Sequence, residues 1–147
     1  MIQSRLFLVS PKVAEQIRQC GPDQLRNVVC RACSTAVQLT GLTDERVTTA
    51  LGLICDGRGD DTLAGEMSGL VQELDNDAWD LQDKVEIGEA EQADCVRAFA
   101  KARAAASVAF AIRRTDVSAV ESLYESFHAI NDFATFTRVV EAALGGF

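Results

Sequence analysis

Cys30-Arg31-Ala32-Cys33 is the first spacing in this chain whose residue types could do chemistry. A C-x-x-C serves either as half of a metal site or as a redox pair. A tetrahedral metal site needs about four ligands, and the chain offers one histidine and no second C-x-x-C. A redox pair expects a strand ahead of the motif and a helix opening at it, whereas helical periodicity here runs through the motif. At i and i+3 two cysteines share a helix face, where the side chain packs as a small hydrophobe. Core packing is therefore the expected role. The five cysteines, Cys20, Cys30, Cys33, Cys55 and Cys95, are odd in number and sparse. That predicts free, reduced thiols rather than a disulfide framework, and no metal or other cofactor.

The other chemical candidates are thinner. His128 has Asp132 four residues on, close enough on a helix to orient an imidazole base. No G-x-S-x-G or reactive-cysteine context supplies a nucleophile, so a surface or capping histidine is expected and no catalytic residue is assigned. Asp56-x-Arg58-x-Asp60 imitates the start of a calcium loop. Arg58, however, stands where an oxygen ligand is needed, and the twelfth position is Met67. Gly57-x-Gly59 lacks the third glycine and the preceding strand of a dinucleotide site.

Charge is more informative. The chain carries 22 acidic and 14 basic residues, a formal net charge of −8. Thirteen of the acids fall between Asp56 and Asp94, against only Arg58 and Lys84, so that segment holds −11 and the rest of the chain +3. At about 100° per residue, Glu66, Glu73, Asp77 and Asp80 lie within about 60° of one another on one helix. Such a stripe is either a solvated face or a docking surface for a basic partner. In a regular helix Trp79 points away from Leu70, Leu74 and Leu81 and stands between Asp75 and Asp83, as an interface anchor would. If Asp75-Asn76-Asp77 breaks the helix, Trp79 turns into the core instead. The candidate partner surface is thus Asp60, Asp61, Glu66, Glu73, Asp77, Trp79 and Asp80.

These residues must be held by helices. Apolar residues recur at three and four almost throughout, with a weak strand-like alternation only over Arg5 to Val9. Ser10-Pro11 opens a first helix that Gly21 stops, and Pro22 opens a second that Gly41 ends. Thr43 is the expected cap of the third. The fourth runs from about Thr62 into the low 80s, followed by a linker around Val85 to Glu89. An Ala-rich fifth helix, about Ala90 to Arg113, suits the centre, because small side chains let neighbours approach. Asp116 and Asp132 are the expected caps of a sixth and a seventh, which Gly145-Gly146 ends. A shift of 72 residues brings Arg31 onto Arg103, Thr43 onto Thr115, Asp44 onto Asp116 and Leu51 onto Leu123. A pseudo-duplicated helical hairpin would produce this echo, and so would shared capping chemistry.

The 147 residues, 48% of them hydrophobic, suffice for one cored domain spanning 1–147 and exclude a disordered chain. The expected class is all-α, a compact bundle of six or seven helices. The acidic balance argues against nucleic acid or an anionic membrane as partner. No apolar run reaches a membrane span, and residues 1–10 are too short and interrupted for a signal peptide. The expected location is cytoplasmic.

The order of segments carries a resemblance. Arg26-Asn27-Val28-Val29-Cys30-Arg31-Ala32-Cys33 leads to Thr43-Asp44-Glu45-Arg46-Val47-Thr48-Thr49-Ala50-Leu51. After an acidic gap comes Arg97-Ala98-Phe99-Ala100-Lys101-Ala102-Arg103-Ala104-Ala105-Ala106. Over about residues 20–130 this resembles small helical bacterial immunity proteins of polymorphic toxin systems. The resemblance implies a cytoplasmic, non-enzymatic protein that binds and neutralises a cognate toxin, here through its acidic surface. The alternative is a helical scaffold or self-associating module, such as a homodimer.

Overall fold

The computed structural model describes residues 5–145. Residues 1–4 of the expected leader-free start, and Gly146 of the expected stop, lie outside the described residues. Within them every regular element is a helix. These are α1 (Arg5–Val9), α2 (Pro11–Gln19), α3 (Pro22–Thr40), α4 (Glu45–Cys55), α5 (Asp61–Glu86), α6 (Gln92–Ala111), α7 (Asp116–Ile130) and α8 (Phe133–Ala143). The all-α class agrees with the sequence reading, and the count rises from six or seven to eight. The addition is α1, where a weak strand was expected. Five residues are too few to show a helical period, and Leu6, fully buried against the bundle, fixes this turn by packing.

Local signals set most boundaries. The Ser10 side chain accepts from Val13 N–H, with Pro11 as the first residue of α2. The Gln24 side chain accepts from Gly21 N–H at the start of α3, and Gly41 closes that helix at φ +72°. Two caps move by one residue from their expected places. Asp44, not Thr43, caps α4, because its carboxylate accepts from Arg46 N–H and is clasped by the Arg46 guanidinium. Thr115, not Asp116, caps α7, accepting from Ser118 N–H. Asp132 caps α8 as expected, accepting from Thr135 N–H.

The Ala-rich α6 is the central element and packs on α5, α7, α3 and α4. Ala102, Ala104, Ala105, Ser107 and Val108 on it are fully buried. Close approach also uses short polar side chains: Ser122 on α7 donates to the Ser107 carbonyl at 2.7 Å and meets Cys33 of α3 at 3.2 Å. Leu63, Met67 and Leu70 bring the first half of α5 into the main core. Beyond Leu74, α5 buries only Ala78, which with Cys95 and Ala102 lies outside that main cluster.

One expectation about the cysteines is corrected. Cys30 and Cys55 are joined in a disulfide, with Cα atoms 5.1 Å apart, while Cys20, Cys33 and Cys95 are free. The cause is the turn between α3 and α4. Cys30 stands eleven residues before Gly41 and Cys55 eleven after Asp44, so equal helical arms bring the two level. The C-x-x-C is accordingly split: Cys33 is core, as expected, and Cys30 is turned toward α4. The returning chain also presses Arg26 onto Gly57, where a Cβ would lie 2.7 Å from Arg26 Nη1.

The 72-residue echo does not extend to equivalent roles. Arg31 is an exposed residue of α3, whereas Arg103 is held in an ion-pair network between α5, α6 and α7.

Candidate functional site

The acidic segment folds as α5 and its preceding loop, as expected, and the helix runs unbroken through Asp75-Asn76-Asp77. Trp79 is therefore not in the core and is 60% exposed. Asp75 and Trp79, one turn apart, both lean toward α6. Asp75 accepts from Arg103 at 2.6 Å, and Trp79 meets Phe99 edge-to-face at 5.2 Å. Val96, three residues before Phe99 on the same helix face, is exposed, as is Ile87 just past the end of α5. The α5–α6 hairpin thus leaves Trp79, Ile87 and Val96 exposed, with Trp79 resting on Phe99.

The seven expected site residues are not all equivalent. Asp60 is the N-cap of α5, accepting from Leu63 N–H, so its carboxylate has a structural task. Glu73 reaches Arg46 of α4 at 3.6 Å, so its charge is partly answered within the chain. Asp61, Glu66, Asp77 and Asp80 are exposed and make no ion pair among the described residues. Around the helix axis, Trp79 lies roughly 100–160° from the stripe. The stripe and Trp79 therefore occupy the two flanks of the outer face of α5 rather than one point on it. Between the flanks lie Gly65 and Gly69, and a Cβ at either would meet nothing within 4 Å.

Three participants were not visible in the sequence. Phe99 and Val96 read as ordinary members of an Ala-rich helix, and only the pairing of α5 with α6 shows that Phe99 meets Trp79 and that Val96 is left exposed. Glu125, on α7, is buried although acidic, and it accepts from Arg103 at 2.9 Å with Arg5 at 3.6 Å on its other side. Burial lowers the pKa of Arg103, but the hydrogen bond to Asp75 and the charges of Glu125 and Asp75 outweigh it, and the net shift is upward. This network ties the base of the hairpin to α7.

His128 is exposed and makes edge contacts with Tyr124 and Phe127. Asp132 spends its carboxylate on the α8 cap rather than on orienting His128. Among the described residues no three His, Cys, Asp or Glu side chains group so as to hold a metal ion. Among the described residues no helix is long and apolar enough to cross a membrane. No known protein family, curated protein or solved structure matches the chain.

Proposed function

We propose that this chain is a non-enzymatic protein-binding domain that takes a basic protein partner on the outer face of α5. The observation that carries this is Trp79, the only tryptophan, standing exposed on a helix whose neighbouring charges are almost all negative. An indole left in water at the edge of a charged face has the composition of an interface anchor with a polar rim. The acids would steer a cationic partner in, and Trp79 with Phe99 and Val96 would slow its departure. α5 is about 39 Å long, long enough for a partner of ordinary size to touch both flanks. Together with the resemblance noted above, this makes a cognate bacterial toxin with a basic active surface the specific partner proposed. The location consistent with this reading is the cytoplasm.

Co-expression with the product of the adjacent gene is the direct test. Protection from growth arrest, and a complex whose association slows with salt, are expected. Charge reversal of Glu66, Asp77 and Asp80 to Lys should lower the on-rate, leaving the Arg46 contact of Glu73 intact. Trp79→Ala should raise the off-rate, at a cost of about 2 kcal/mol. Binding untouched by both changes would overturn the proposal. Concentration-dependent self-association through Trp79 without another ligand would favour the scaffold reading instead.

A further inference from the structure

A second feature lies on other elements, in the groove between α3 and α8. The groove has a volume of about 510 Å³ and is walled by Cys30, Arg31, Ser34 and Thr35 of α3 and by Thr135 and Arg138 of α8. It is large enough for a tripeptide-sized ligand. Arg31, Arg138 and three hydroxyl-bearing residues thus stand on its walls beside Val139 and Ala142. Arg31 and Arg138 make no ion pair among the described residues. Each only reaches a neighbour on its own helix through Nε, Arg31 to Asn27 at 3.5 Å and Arg138 to the Ala134 carbonyl at 3.4 Å. In a chain of net charge −8, uncompensated cations sharing one groove select an anion. Cys30, a lining residue of the groove, is half-buried, and its sulfur is bonded to that of exposed Cys55.

We propose that this groove is a thiol–disulfide exchange site that admits a small anionic thiol, of the chemical class of glutathione, to the Cys30 sulfur. Arg31 and Arg138 hold the carboxylates of the thiol, and its thiolate attacks Cys30 Sγ. The Cys30–Cys55 bond breaks, a mixed disulfide forms on Cys30, and Cys55 leaves as a thiolate that solvent protonates. A second thiolate then attacks the sulfur of the bound thiol. That step releases the small-molecule disulfide and leaves Cys30 as a thiolate. Two small thiols are oxidised, and the protein disulfide is reduced by two electrons. Cys33, although only three residues away, does not compete for the mixed disulfide. It is fully buried against Ser122, and burial pushes its thiol pKa upward, against the smaller opposite effect of hydrogen bonding with Ser122 and Ser107.

The test uses the full oxidised chain and three thiols: glutathione (anionic), 2-mercaptoethanol (neutral) and cysteamine (cationic). Rates of disulfide loss are compared per unit thiolate, and the first adduct is trapped with acid and located by mass spectrometry. At low ionic strength glutathione should be faster than 2-mercaptoethanol by roughly tenfold, cysteamine should be slowest, and the adduct should sit on Cys30. High salt should erase the ranking in the unaltered protein, and R31Q with R138Q should erase it at low salt. Equal rates for the three thiols, a ranking untouched by salt or by the two substitutions, or a first adduct on Cys55 would each overturn the proposal.

Discussion

Arg103 on α6 donates to Glu125 on α7 at 2.9 Å, and the two are unequally dependent on each other. Arg103 also holds Asp75, whereas Glu125, 4% exposed, has Arg5 as its one other ion-pair partner among the described residues. Arg103→Ala should cost roughly 3 kcal/mol, because it leaves a buried carboxylate almost unpaired. Glu125→Gln should cost only about 1 kcal/mol, because Arg103 keeps Asp75 and the amide still accepts. Urea unfolding of the two variants measures the asymmetry, and equal losses would contradict it.

Thiol counting in denaturant without reductant should find three free thiols of five, with Cys30 and Cys55 absent from the labelled set. The bond closes a loop with a sequence separation of 25. Reduction should therefore remove roughly 3 kcal/mol by loop entropy and lower the melting temperature on the order of 10 °C. Five labelled thiols in the protein purified without reductant would contradict this.

The glycines divide by environment. Gly65 and Gly69 sit in open helix surface with no neighbour for a Cβ, so Ala at either should stabilise by about 0.5–1 kcal/mol. Gly57 has φ +73° under Arg26, and Ala there should destabilise by about 1 kcal/mol. Thermal melts of the three single variants should show two increases and one decrease. If the outer face of α5 binds as proposed, the first two should also weaken the complex by obstructing close approach.

The Asp44 cap makes a specific contribution to acid sensitivity. The hydrogen bond from the Arg46 side chain holds the Asp44 carboxyl below its ordinary pKa, against the smaller effect of burial. Its stabilising effect is therefore complete above the unfolded value of about 3.9 and is lost as pH falls through the lower folded value. Asp44→Asn should cost most above the unfolded value of about 3.9, where only the parent keeps the charged clasp, and progressively less as pH falls through the depressed folded value. Denaturant midpoints measured across that range should converge on the acid side. A constant gap at every pH would refute the assignment.

What could be read in the sequence was what is encoded locally. Pro11, Pro22, Gly41 and Asp132 mark helix ends because capping involves residues two or three apart. Exposure of Trp79 follows from helical phase alone, provided the helix continues, and it does. The displaced caps at Asp44 and Thr115 show the limit of that logic: adjacent Thr and Asp can both cap, and a clasp such as Arg46 decides between them. α1 has too few residues for a period. The Cys30–Cys55 bond was hidden because residue count argued for free thiols, although the equal spacing of both cysteines from the Gly41–Asp44 turn was there to be read. Glu125, Phe99 and the groove of Arg31 and Arg138 depend on which helices meet, and no local rule states that.

The far half of α5 lies outside the main hydrophobic cluster and is held to α6 by Ala78, the Asp75–Arg103 and Gln82–Cys95 bonds and the Trp79–Phe99 contact. Backbone amides there should exchange with solvent through small openings, whereas those of residues 104–111 should wait for global unfolding. On that expectation, the end of the α5–α6 hairpin would be a softer arm on a stiffer block. A protein seated on that arm would quench its fluctuations without altering the block. Occupancy would then be reported by amides several turns away from any shared contact, as a loss of motion and not as a change of shape.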